Sequence, residues 1–319
     1  MLGKRLIVVP DMWLGKPTLS MVTVGVVLVS FTAGPAHASP NHPLDHPEVM
    51  GARSLGRGGV GRADATDISG EELNLAAVSL IPSYSFFGGA ELGPDKRFLA
   101  RAGAVDSRTS PIALGAGYRW RSDNVPPTGA ALPGWAPADG EALDNPTTAH
   151  RVHLGVALPF LERRLSLAVH TRFDWWDAEI SGPANAFNFG FSVAGRPVPA
   201  LTLAAGARSL LTTVDTRTQR EVDLAVRFDP GPYLGLEADV VAPIADGLDI
   251  DTFEWRAGLD VSATKWLALR GGWSMDEGVH AAHLGLGLVS DKATLDYGIK
   301  VQLDAPERNW HALDLRVNF

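Results

Sequence analysis

No cysteine occurs anywhere in the chain, which removes disulfides and thiolate metal sites from consideration. It leaves the compartment open and suits passage through an oxidising one. Long apolar runs are almost missing. The only one is Met21 to Ala33, too short for the ~20 residues that a membrane-crossing helix needs. Charge of one sign is not in large excess either: 28 basic and 36 acidic residues give a net of −8. With 20% charged residues and a mean hydropathy of +0.04, a bundle of membrane helices is excluded. The same composition fits a soluble protein or a transmembrane β-barrel with a polar lumen.

The apolar run is preceded by Lys4, Arg5 and Lys16 and followed by Ala36-His37-Ala38 and Ser39-Pro40. A basic start, an apolar middle and a small-x-small end predict a secretory signal peptide over 1–38, cleaved after Ala38. Its removal takes away three basic residues and one acidic residue. It leaves 25 basic and 35 acidic, a net of −10, which argues against nucleic acid or anionic lipid as a partner.

What the chain does have is alternation. In the last ten residues Leu313, Leu315, Val317 and Phe319 fall on one face of an extended chain, and Asp314, Arg316 and Asn318 on the other. The same rhythm recurs through Val152–Leu158, Leu165–Phe173, Phe187–Val193, Val222–Phe228, Leu234–Val240, Phe253–Val261 and Leu295–Leu303. From Leu80 onward fourteen segments of about ten residues are counted. The first two, Leu80–Ala90 and Lys96–Asp106, alternate too poorly for their faces to be assigned. Loops are expected at Ser122–Thr148, Trp175–Asn185, Leu211–Thr218 and Pro243–Thr252, mostly after odd-numbered strands, with tight turns after even-numbered ones. An even strand number with short turns at one end and longer loops at the other is the pattern of a membrane barrel. Tyr118, Trp120, Phe173, Trp175, Trp176, Tyr233, Trp266, Trp273, Trp310 and Phe319 cluster near segment ends, where amphipathic rings would form interfacial girdles.

A strand that ends on Phe319 resembles the last strand of bacterial outer-membrane barrels, in which the final aromatic is part of the signal read by the insertion machinery. The run Gly51-Ala52-Arg53-Ser54-Leu55-Gly56-Arg57-Gly58-Gly59, followed by Ala63-Asp64 and by Asn74-Leu75-Ala76, resembles the N-terminal signature of FadL-like and PorV-like outer-membrane proteins. Leu75 stands where those proteins carry Pro. The resemblance implies a plug segment over 39–78, in which Gly51, Arg53, Gly56, Gly58, Gly59, Asp64 and Asn74 carry the match, and a barrel over 79–319. The expected fold is therefore all-β: a transmembrane antiparallel barrel of about 14 strands with an N-terminal plug.

If the apolar faces meet lipid, the lumen carries Arg119, Arg121, Arg151, His170, Arg172, Arg208, Arg227, Arg256, Arg270, Lys300 and Arg316. It also carries Asp174, Glu221, Asp223, Glu237, Asp239, Glu254, Asp260, Asp296 and Asp314. The signs nearly balance, so pairing across neighbouring strands is expected. His280 and His283 lie on opposite faces of a strand, as do His150 and His153. Ser166 and Asp174 are four positions either side of His170, too far for direct bonding along one strand. No catalytic constellation, metal site or cofactor is expected. The resemblance implies a bacterial outer-membrane protein that passes or binds hydrophobic small molecules. Its expected partners are outer-membrane lipid, the barrel-insertion machinery and a hydrophobic ligand. A scaffold that docks exported proteins and a general diffusion porin are the alternatives.

Overall fold

β-branched and aromatic residues at every second position suit a pleated backbone. In the computed structural model the alternating segments form strands. The structure describes residues 51–66, 71–94, 97–122, 147–178, 182–211, 220–244, 250–276, 278–306 and 308–319. The expected signal peptide, the stretch up to residue 50 and most of two of the expected loops lie outside these residues. Among the described residues the strands are β1 (Tyr84–Leu92), β2 (Phe98–Asp106), β3 (Ala113–Ser122), β4 (Thr147–Phe160) and β5 (Leu165–Ala178). Next come β6 (Gly182–Val198), β7 (Leu201–Arg208), β8 (Glu221–Gly231), β9 (Leu234–Pro243) and β10 (Glu254–Thr264). The series ends with β11 (Leu267–Asp276), β12 (Val279–Val289), β13 (Ala293–Gln302) and β14 (Asn309–Asn318). Each pairs antiparallel with its neighbours in sequence, and β1 pairs with β14, closing the barrel. Two short helices precede it, α1 (Ala52–Leu55) and α2 (Glu71–Ser79).

The surface is inverted relative to a water-soluble protein. Leu154 is 55% exposed while its neighbour His153 is 6% exposed; Leu284 is 65% exposed and His283 3%. Leu114, Val156, Leu167, Leu224, Leu286 and Leu313 continue the outward apolar belt. A soluble monomer rarely exposes an apolar patch larger than a few hundred Å2, whereas a barrel that spans a bilayer requires one all round. No helix among the described residues is long and apolar enough to cross a membrane.

The structure departs from the sequence reading in three places. Trp175–Asn185 is not a loop: β5 runs to Ala178 and β6 begins at Gly182, paired residue for residue. With β4 at 14, β5 at 14 and β6 at 17 residues, one part of the wall rises beyond its neighbours at the long-connection end. There the outward rings of His150 and Trp175 stack 5.0 Å apart, and the Tyr118 hydroxyl lies 2.7 Å from His150 Nδ1. Trp310, expected in a girdle, is buried with Ala52 and Leu55, and Arg97 lies over its ring. Arg196-Pro197-Val198-Pro199, whose prolines predict one of the tight turns after an even-numbered strand, mostly belongs to β6, whose register with β7 shifts between Gly195 and Val198.

The turn between β4 and β5 is unusual. Leu161, Glu162 and Arg163 have φ of 49, 55 and 62°, three successive non-glycine residues in the left-handed region, at a cost of about 1–2 kcal/mol each. Hydrogen bonds offset this: Arg163 donates through Nη1 to Ser79 O (2.7 Å) and through Nη2 to Ser107 O (2.6 Å), and Arg164 N–H donates to Leu161 O (3.0 Å).

Because the outward face meets hydrocarbon, Leu154→Arg should cost about 2–4 kcal/mol in urea unfolding from lipid vesicles. On a water-facing surface the same change would be worth at most about 0.5 kcal/mol.

Candidate functional site

The inward face of the barrel is charged, and a stretch of chain N-terminal to β1 packs against it. Gly51–Thr66 brings three arginines, Arg53, Arg57 and Arg62, and one acid, Asp64. Arg57 and Arg62 are each only 1% exposed. Burial of a guanidinium is costly without a paired carboxylate, and the wall supplies them. Arg57 lies 2.7 Å from Asp64 and 3.4 Å from Glu237 of β9. Arg227 of β8 lies 3.2 Å from the same Asp64 oxygen and 3.4 Å from the same Glu237 oxygen. These four side chains form a closed ring of alternating sign. Arg53 reaches Asp64 and Asp260 of β10, both at 3.1 Å. Arg62 reaches Asp239 of β9 at 3.2 Å and Asp223 of β8 at 3.7 Å. Burial pushes the Asp64 carboxyl toward the neutral acid, but Arg227, Arg53 and Arg57 outweigh it and hold it well below the usual range.

Backbone groups complete the attachment. The N–H groups of Gly51 and Ala52, at the start of α1, donate to Glu91 of β1 (3.0 Å) and Asp314 of β14 (2.6 Å). Gly61 N–H donates to Asp239 at 3.2 Å and Ala63 N–H to Glu237 at 3.0 Å. Arg101 of β2 pairs with Asp314. His283 Nδ1 lies 2.7 Å from Leu55 O, and its Nε2 lies 2.9 Å from Ser274 Oγ.

Glycine on both sides allows the close approach. A Cβ at Gly58 would come within 2.4 Å of Ala257 O, and one at Gly272 within 2.3 Å of the Arg57 backbone. Gly58 also has φ +84°, so two requirements fall on one residue.

α2 is attached differently. Asn74 breaks its helical geometry, with φ −161° and ψ 90°. Its Oδ1 accepts the Ala77 N–H at 3.1 Å, so Asn74 caps the turn that follows. Leu75, Ala76, Ala77 and Val78 then bury against Ala113, Ala157, Ala168, Ala194, Ala204 and Ala225 from β3 to β8. Ser79 Oγ lies 2.6 Å from Ser166 Oγ.

The remaining lumen candidates fall in two groups. Arg227, Glu237, Asp239, Arg256, Arg270, Lys300 and Arg316 lie on β8 to β14. Arg256 pairs with Glu254 and donates to Gly59 O (3.3 Å); Arg270 pairs with Asp296 (2.8 Å) and Asp260 (3.5 Å); Arg316 donates to Thr66 O (2.7 Å). Arg119, Arg121, Arg151, His170, Arg172 and Arg208 lie on β3 to β7. Arg151 and Arg172 share Asp174 at 2.6 and 3.0 Å. Arg208 lies 2.8 Å from Glu221 and 3.5 Å from Asp223. Cross-strand pairing therefore accounts for part of the lumen charge, and the N-terminal arginines for much of the rest. Arg62, Glu91 and Arg101 are not singled out by the sequence, Arg57 enters only within the glycine run, and His283 only as one of a pair on opposite strand faces. Three arginines spaced among glycines, with Asp64 the first acid after them, was the available signal that distant carboxylates were required. Among the described residues no group of three or more His, Asp or Glu is placed to hold a metal ion.

Phe319 is exposed at the other end of the chain. Its ring lies 5.7 Å from both Tyr84 and Phe86. Its N–H donates to Tyr84 O (2.9 Å), and Arg108 donates to its backbone oxygen (2.6 Å), so it sits on the outer side of the β1–β14 seam.

A closed fourteen-strand barrel, apolar outside and charged inside, with a chain segment ion-paired to its inner wall, defines a membrane-spanning barrel. No family model matches the chain, and no curated protein matches it significantly. Solved structures do. The Ralstonia pickettii toluene transporter TbuX matches with a TM-score of 0.65 at 12% identity, over 85% of this chain and 99% of that one. The P. putida toluene transporter TodX gives 0.61 at 12% identity, over 86% and 99%. A Pseudomonas aeruginosa FadL homologue gives 0.59 at 11% identity, over 85% and 98%. At these identities the likeness is one of fold.

Asp64→Asn leaves Arg53, Arg57 and Arg227 without their shared partner. It should weaken attachment of the segment by about 3–5 kcal/mol. The readout is faster tryptic cleavage after Arg53, Arg57 and Arg62 in the folded barrel.

Proposed function

We propose that this protein is a channel of the bacterial outer membrane that admits small hydrophobic molecules, with residues 39–78 as its plug. The observation that carries this is the segment Gly51–Thr66 ion-paired to the inner wall of a barrel whose fold is that of hydrocarbon transporters. The longest connections, after β3, β7 and β9, face outward in this reading, and the short turns face the periplasm. The expected leader directs export, and Phe319 at the seam serves the insertion machinery.

The two lumen groups take different roles. Those on β8 to β14 hold the plug. Those on β3 to β7 border the path beside it: Arg119, Arg121, Arg151, His170, Arg172 and Arg208. Arg151 and Arg172 share Asp174, and Arg208 meets Glu221 and Asp223, so part of the charge beside the path of a neutral hydrophobic solute is offset. Proton transfer or nucleophilic chemistry has no place in this scheme, and the protein is read as a transporter rather than an enzyme.

Deletion of 41–78 should raise single-channel conductance severalfold in planar bilayers; unchanged conductance would rule out the plug. Outer-membrane vesicles carrying the intact protein should take up a labelled monoaromatic hydrocarbon faster than vesicles without it. Equal rates would remove the transport reading.

A further inference from the structure

A cavity of about 390 Å3 opens at the short-turn end between the β4–β5 turn and the shifted end of β6. Arg163, Arg164 and Arg196 line it together with Leu80, at the end of α2, and Val198. Glu162 is the one acid on its rim, so three positive charges face one negative charge in a chain whose total is −8.

These guanidiniums are placed unlike the others. Most of the inward-facing arginines described above meet carboxylates. Among the described residues these three meet none within ion-pair distance, and two of them are positioned by backbone carbonyls. Arg163 is fixed by Ser79 O and Ser107 O. Arg196 donates through Nε (3.0 Å) and Nη2 (2.6 Å) to Pro199 O, leaving Nη1 over. Arg164 is exposed and makes no side-chain bond among the described residues. The left-handed turn at Leu161–Arg163 brings Arg163 and Arg164 to the cavity edge. Carbonyl-anchored guanidiniums with spare donors suit a planar or tetrahedral anion. Val198 and the flanking prolines offer an exposed apolar surface beside it, with the largely buried Leu80 at its floor.

We propose that this pocket binds the carboxylate or phosphate head of an amphipathic molecule whose apolar stem lies against Leu80 and Val198. Two sources share that chemistry: a free amphipathic acid, or the headgroup of a membrane phospholipid. The total charge of the chain disfavours anions at long range, but at this rim the local balance is reversed. The proposal rests on the channel reading for its place at the periplasmic end, not for its chemistry.

The test titrates the full-length protein, in a non-ionic maltoside detergent, with decanoate, decanol and a short-chain phosphatidylglycerol. At least one anion should bind, and decanol should bind far more weakly. Decanoate alone points to a free acid, phosphatidylglycerol alone to a lipid head, and both together to a site open to either. Arg164→Gln combined with Arg196→Gln should weaken anion binding about tenfold or more, and the double lysine variant should recover part of it. Heat-modifiable gel mobility reports that each variant is a folded barrel. Decanol binding as tightly as decanoate, no binding of either anion, or undiminished binding by the folded glutamine variant would each overturn the proposal. Hydrocarbon uptake is read separately on the unmutated protein. No anion binding with uptake intact overturns the pocket and leaves the channel; anion binding with no uptake does the reverse.

Discussion

Charges enclosed within a ring of strands must be neutralised where they stand, and that requirement organises the interior. Arg57, Asp64, Arg227 and Glu237 form a cycle in which each acid touches both arginines. Two members come from the N-terminal segment and two from β8 and β9, so neither part is complete alone. Buried ion pairs contribute little net stability once desolvation is counted, yet removing one partner is costly. Such an arrangement fixes position more than it adds strength. It sets which carboxylates the segment meets, and therefore its register along the wall.

The two parts of the N-terminal region use opposite physics. Gly51–Thr66 is attached by ion pairs and by backbone donors to Glu91, Asp314, Asp239 and Glu237. α2 is attached by burial of Leu75 to Val78 on a surface of alanines contributed by six strands. Ionic attachments are directional and are lost as a set when geometry fails, whereas apolar contacts slide at smaller cost. The wall composition follows: glycine where the backbone of the segment must touch, alanine where α2 packs, and charge where arginines arrive.

Most of the barrel was legible because one face meets hydrocarbon and the other meets charge, which imposes period two on β3 to β14. In β1 and β2 the rhythm is erased for a physical reason. Their inward positions mix Phe87, Leu99 and Val105 with Glu91 and Arg101, all buried, so the inward face is not uniformly polar. Trp175–Asn185 was read as a loop because Asp177 and Pro183 interrupt the pattern, although backbone pairing continues through them. The resemblance at Gly51–Gly59 points to that stretch without giving its contacts. Arg57 and Glu237 are 180 residues apart, and no local pattern links them. Nor does any local pattern show that Gly258 and Gly272 are met by the backbone of Arg57.

The seam joins β1 to β14, strands from opposite ends of the barrel's sequence, while the segment that touches β8 to β14 from within lies just upstream of β1. Wrapping must therefore be timed. Either the upstream piece is already laid against the half-rolled sheet when the two edges meet, or it must thread in afterwards with three cationic side chains leading. The first route has no such obstacle, because the carboxylates of β8 to β10 are still reachable from an open sheet. Assembly on that route is concerted, with the contents and the container completed together.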